Sequence, residues 1–180
     1  MLIEKLEVHD TLNPKIWTSD NKLQNDVREK ILDVLDLFKK FCELTIPVVD
    51  IYLVGSNASY NYTDNSDLDM HIIVNFDLID GSKEVVGMMY NLQRSAFNND
   101  YDISVHGVPI EIYVEDVSGT SVSSNGIYSV FKDKWLKFPK RIEVPVIDTS
   151  DAVSRWEKRI NYELTKGTYQ SVSDVINKLY

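Results

Sequence analysis

Two β-rich runs separated by a short polar connection constrain this chain most. VDIYLVG, from Val49 to Gly55, stops on a glycine, and a second run, Leu68 to Val74, starts inside DLDMHIIV. Residues two apart on a strand point to one face, so Asp67 and Asp69 present two carboxylates together while Leu68 and Met70 turn toward a core. A pair of acids at the head of a strand is common by chance on exposed strands, so this pair alone identifies nothing.

A third acid changes the weight of that pair. Glu111 lies in PIEIYV between Ile110 and Ile112, where a neighbouring strand would alternate apolar and polar side chains. Glu115 shares its face by parity and is the fallback. Three gathered carboxylates repel one another and raise each other's pKa unless a cation compensates, which makes Mg²⁺, with Mn²⁺ as a substitute, the sensible occupant. Such a set suits a hard cation that keeps waters and completes its shell with phosphate oxygens. The other half of the site is Gly55-Ser56 followed by Asn57. There glycine lets the backbone approach a phosphate, and the hydroxyl and following amides can donate to its oxygens.

The rest of the chain reads as α+β, a small mixed sheet flanked by helices. Apolar residues at Leu23, Val27, Ile31, Leu35, Phe38 and Cys42 mark a helical face behind a cap at Asp20 or Asn21, and Pro47 ends that stretch. Asp80 to Ser82 can cap a second helix carrying Val85, Met88, Met89, Leu92 and Ala96. Ile103–Val105 and Pro109–Val114, joined through His106-Gly107, predict a hairpin with a glycine at positive φ. A Ser/Gly-rich loop spans 118–126, and GIYSVFKDKW adds a strand. Two short helices in 150–180 follow, around Val153, Trp156 and Ile160 and around Val172, Val175, Ile176 and Leu179, the last capped by Ser171. Residues 1–180 are expected to form one domain, with 1–19 as a packed N-terminal arm.

Composition bounds the function. With 180 residues and 43% hydrophobic content the chain can bury a substantial core. A net charge of -9 repels polyanions, so extended nucleic acid is disfavoured as a partner. Lys132, Lys134, Lys137, Lys140 and Arg141 crowd one stretch that could face a triphosphate or a tRNA-like acceptor, although such a run is usually a solvated face. The single Cys42 excludes an internal disulfide and a Cys-based zinc cage. No apolar run reaches the ~20 residues of a membrane span. MLIEKLEVHD lacks the regions of a signal peptide, so the cytoplasm is the expected location, the host's if the protein is phage-encoded. Gly55 does not belong to a G-x-x-x-x-G-K-[ST] loop, so a P-loop is excluded.

The combination of strand, Gly55-Ser56, connection, Asp67-Leu68-Asp69 and a later strand acid resembles the nucleotidyltransferase superfamily related to DNA polymerase β, over Val54–Val74 and Val108–Val114. GSNASYNYTDNSDLDMHIIV, GVPIEIYVED and GIYSVFKDKW are also similar to small phage and bacterial nucleotidyltransferase-like proteins. One departure is Tyr60, where many small members have a second glycine.

The resemblance implies the nucleotidyltransferase fold, with Asp67, Asp69 and Glu111 as catalytic metal ligands and Gly55, Ser56 and Asn57 on the nucleotide. It implies two Mg²⁺ ions and an NTP substrate, ATP slightly favoured. The reaction would pass an NMP to a hydroxyl acceptor and release pyrophosphate in one step. A catalytically silent nucleotide-binding module, regulatory or antitoxin-like, is the alternative. A third reading, an interaction protein with merely solvated acids, requires the whole spacing to be coincidence.

Overall fold

Apolar side chains one helical turn apart wind residues Asn25–Phe41 into α1, burying Val27, Ile31, Val34, Leu35 and Phe38. The computed structural model describes residues 8–43, 47–119, 125–141 and 150–166. α1 starts one turn later than the Asp20 or Asn21 cap predicts. Asn21 adopts a left-handed φ of 58°, its N–H donates to Thr18, and Leu23 forms a bridge with Trp17. The backbone groups a cap would serve are therefore already engaged in a turn. Before α1, Leu12, Ile16 and Trp17 are buried in the same core.

Six strands form one mixed sheet: β1 (Val48–Val54), β2 (Leu68–Val74), β3 (Ser104–Val105), β4 (Val108–Asp116), β5 (Ile127–Ser129) and β6 (Lys134–Lys137). Their spatial order is β3-β4-β2-β1-β5-β6. β1 and β2 are antiparallel, whereas β2 and β4 run parallel. The parallel pair needs a long crossover, and α2 (Lys83–Asp100) supplies it. One face of the central strands, with Ile51, Leu53, Leu68, Met70, Ile72 and Ile112, is sealed in the core with α1. On the other face Asp69 and His71 of β2 and Glu111 and Tyr113 of β4 are only half-buried, while Ile73 is buried. The period of two thus divides structural from chemical side chains.

α2 begins where predicted, with the Ser82 side chain accepting from the Val85 N–H, but a different face packs. Val86, Tyr90 and Phe97 are buried, while Val85, Met88 and Leu92 are 59%, 66% and 74% exposed and Met89 also faces out. The helix carries two apolar stripes, and the aromatic one wins. Phe97 meets Phe38 and Phe41 edge-on at 5.2 and 5.4 Å, and Tyr90 stacks on Phe76. Rings bury more area than Val or Met and add directional contacts.

The β3–β4 hairpin turns at His106 and Gly107, with φ of 50° and 76°. Two consecutive positive values give the tight turn whose twist matches the strands. GIYSVFKDKW folds into two strands: β5 and β6 pair antiparallel, with Tyr128 only 1% exposed and its hydroxyl donating to Asp133 across the turn at 2.7 Å. Buried Asp50 anchors this hairpin by accepting from the Ser129 hydroxyl at 2.7 Å and the Phe131 N–H at 3.3 Å.

The chain divides into two compact units, Met1–Glu143 and Val144–Tyr180. Of the second unit the structure describes α3, Ser150–Lys166, on which Tyr162 and Leu164 are exposed. The helix predicted around Val172–Leu179 lies outside the described residues, as do residues 120–124 of the Ser/Gly-rich loop. Among the described residues no helix is long and apolar enough to cross a membrane.

Candidate functional site

Strand register decides which acids meet. Asp69 of β2 stands opposite Glu111 of β4 and opposite Val54 of β1, and Asp67 immediately precedes β2. Each of Asp67, Asp69 and Glu111 offers a carboxylate oxygen, and the three atoms lie within 4.8 Å of one another. Like charges placed directly across a strand pair are destabilising. The cost is visible at Asp69, whose carboxyl is pushed up to about 6 by burial and by the Asp67 and Glu111 charges, against an opposing pull from His71. A divalent cation among these oxygens would reverse that cost, and an all-oxygen donor set fits Mg²⁺ or Mn²⁺ better than zinc. Cys42 offers no thiolate here, since burial pushes its thiol up to about 11.

Glu115 does not join the cluster. It stands opposite Ile73, and its Oε1 lies 2.7 Å from His71 Nδ1. His71 shares the site face and stacks on Tyr113 at 4.7 Å. Burial and the neighbouring Glu111 carboxylate push the Tyr113 phenol up to about 12. Arg94, from α2, covers the Tyr113 ring with its guanidinium carbon 4.5 Å from the centroid. Its Nη1 is 3.7 Å from Glu111 Oε1. Neither Tyr113 nor Arg94 stands out in the sequence as a site residue. Tyr113 is accessible by parity with Glu111, whereas nothing local links Arg94 to Glu111, seventeen residues on.

The Gly55 turn packs directly on the acids. Gly55 has φ 75° and ψ -161°, a region essentially closed to other residues, and a Cβ built there would lie 1.7 Å from Asp69 Oδ2. Residues Ser56–Ala58 then make one turn of 3₁₀ helix. The Ser56 hydroxyl donates to Ser66 Oγ at 2.8 Å, tying both ends of the connection together.

Asn57 is wholly buried. Its Nδ2 donates to the Asp67 carbonyl at 2.7 Å and the Ser66 carbonyl at 3.2 Å, while its Oδ1 accepts from Asn13. The Asn57 carbonyl accepts from Trp17 Nε1 at 2.7 Å. The buried arm residues Asn13 and Trp17 thus brace this turn, and the Asn57 side chain fixes the backbone of Asp67 from behind. Asn125 Nδ2 donates to the Gly55 carbonyl, and the Gly126 N–H to that of Ala58, so the end of the Ser/Gly-rich loop closes on the same turn.

A cleft of about 370 Å³ opens beside Asp67 and Glu111, walled by Asn98, Asn99, Tyr101 and Asp102 and floored by Ile103, Pro109 and Ile110. Tyr60 packs against the core. Tyr128 is a core residue, and Trp135 packs partly buried against the core, its ring tilted 32° to that of Trp17 at 4.6 Å. Lys132, Lys134, Lys137, Lys140 and Arg141 are exposed.

No family model matches the chain, and no curated protein matches it. Among solved structures it is similar to a STING-associated CdnE c-di-GMP synthase from Capnocytophaga granulosa, at 15% identity and a TM-score of 0.29. The match covers 79% of this chain and 52% of that one, so the chain spans about half the length of that protein.

Proposed function

We propose that the chain is a divalent-cation-dependent nucleotidyltransferase that moves an NMP from an NTP to a hydroxyl acceptor and releases pyrophosphate. The observation that carries this reading is the meeting of Asp67, Asp69 and Glu111 within 4.8 Å, with the Gly55 backbone packed against Asp69. Mg²⁺ held by the three carboxylates would supply charge neutralisation for the phosphates and lower the pKa of the acceptor hydroxyl.

The chain's own residues position charge. Asp67 and Asp69 project from the start of β2, anchored from behind by Asn57, and Glu111 faces them from β4. Gly55, Ser56 and Asn57 form the turn on which the triphosphate would rest, with Ser56 exchanging its bond to Ser66 for one to a phosphate oxygen. The acceptor oxygen would attack the α-phosphorus as the bond from that phosphorus to the oxygen bridging to the β-phosphate breaks and pyrophosphate leaves, with Glu111 the candidate to take the hydroxyl proton. The cleft beside Asp67 and Glu111 is where an acceptor would enter; the overall charge of -9 favours one that is not a long polyanion.

One observation favours the silent alternative. The Ser56 hydroxyl and the Asn57 amide are both committed within the turn, as they would be in a module that binds nucleotide without turnover or serves a regulatory or antitoxin-like role. Incubation with each α-labelled NTP, Mg²⁺ or Mn²⁺ and candidate acceptors separates the two readings. Transfer should occur in the parent and vanish in Asp67→Ala/Asp69→Ala. Equal pyrophosphate release from both proteins would sink the assignment.

A further inference from the structure

Arg94 follows Tyr90 by four residues and precedes Phe97 by three, so it lies along the edge of the buried face of α2. From there it reaches over the sheet. Its planar, delocalised cation covers the Tyr113 ring at 4.5 Å, a geometry suited to guanidinium more than to ammonium, and its Nε donates to Asn91 at 3.2 Å. The side chain is held at three points, and the third is Glu111 Oε1, 3.7 Å from Nη1.

A carboxylate has two oxygens, and a glutamate on a strand has three rotors with which to misplace them. We infer that Arg94 is the positioning residue of the third acid: it holds one oxygen of Glu111 from the α2 side and turns the other toward Asp67 and Asp69. This inference rests on the divalent-cation reading of the site. It carries a cost, because a fixed positive charge beside a ligand repels the divalent ion that the ligand serves. Arg94 therefore lowers the affinity of the site for a bare cation while it fixes the geometry in which Glu111 acts.

Charge and shape separate cleanly in two variants, Arg94→Gln and Arg94→Lys, each first checked for an unchanged melting transition. The first reading is Mn²⁺ alone, by calorimetry without nucleotide. Arg94→Gln should bind it about threefold more tightly than the parent, the size expected for one partly exposed neighbouring charge, and Arg94→Lys should bind as the parent does. The second reading is steady-state transfer, where Arg94→Gln should lose about tenfold in kcat with KM for the NTP within about twofold, because an oriented group is lost and no substrate contact is.

A raised KM with intact kcat would overturn the inference and make Arg94 a nucleotide contact. So would weaker Mn²⁺ binding in Arg94→Gln, or parent-like binding there while Asp67→Ala/Asp69→Ala binds none; that last result leaves the metal reading standing. Absence of Mn²⁺ binding in the parent itself would sink both.

Discussion

Gly55 and Asp69 touch: the space a Cβ would fill at Gly55 is already taken by the Asp69 carboxylate, 1.7 Å away. The turn that would carry a phosphate and the acid that would carry a cation are thereby one packed unit. Gly55→Ala should displace Asp69 as well as strain a glycine-only backbone, costing about 1–3 kcal/mol in urea unfolding. Mn²⁺ binding should weaken by at least about tenfold, a loss of ~1.4 kcal/mol. Unchanged Mn²⁺ affinity would show that Asp69 does not need that space.

Asp69 makes the stability of the cation-free protein depend on pH. Its carboxyl is raised to about 6 by burial and by Asp67 and Glu111, so between its ordinary value and about 6 the folded chain keeps a proton that the unfolded chain has released. Stability must then fall as pH rises through that window and stay lower above it. Denaturant midpoints from pH 4 to 8 should show the fall, and Asp69→Asn should flatten it. Added Mg²⁺ should stabilise the parent more at pH 8 than at pH 5.

Glu111 and Glu115 share a face, yet only Glu111 stands opposite Asp69, and Glu115 is bound to His71. Glu111→Gln should weaken Mn²⁺ binding by about tenfold or more, whereas Glu115→Gln should leave it within about twofold. Calorimetry on the two variants decides between them; the reverse order would reassign the third ligand.

Asn57 joins four groups in the interior, and its loss strands the Ser66 and Asp67 carbonyls together with the Asn13 amide. Asn57→Ala should cost about 2–4 kcal/mol. Asn57→Asp should do no better, because its oxygen faces two carbonyls where the amide donated. A loss below about 0.5 kcal/mol would mean that water replaces these bonds without penalty.

The legible parts of this fold are those governed by local period. α1 followed from residues one turn apart, β2 from alternation around Asp67-Leu68-Asp69, and the β3–β4 hairpin from His106-Gly107. What stayed hidden depends on contacts distant in the chain. The buried stripe of α2 could not be chosen from sequence because Val85, Met88, Met89 and Leu92 form as regular a stripe as Val86, Tyr90 and Phe97, and only Phe38 and Phe41 break the tie. Glu111 and Glu115 are equivalent by parity, so register with β2 was needed to separate them. Asn57 lies beside two residues of a familiar turn, and nothing in its neighbours told that its side chain points inward to Asn13 and Asp67. Arg94 approaches Glu111 from another element altogether.

Asn98 has a quieter consequence. Its side-chain amide donates to the Ile112 carbonyl at 3.2 Å and accepts from the Ile112 N–H at 3.3 Å, the same pair of bonds a further strand would make along the outer rim of β4. An unpaired rim is a template for any extended peptide, including another copy of the chain, and proteins guard such rims in several ways. Here a single helical side chain plays the part of the missing neighbour just beyond the short β3, so the sheet ends at the site's border instead of inviting growth across it.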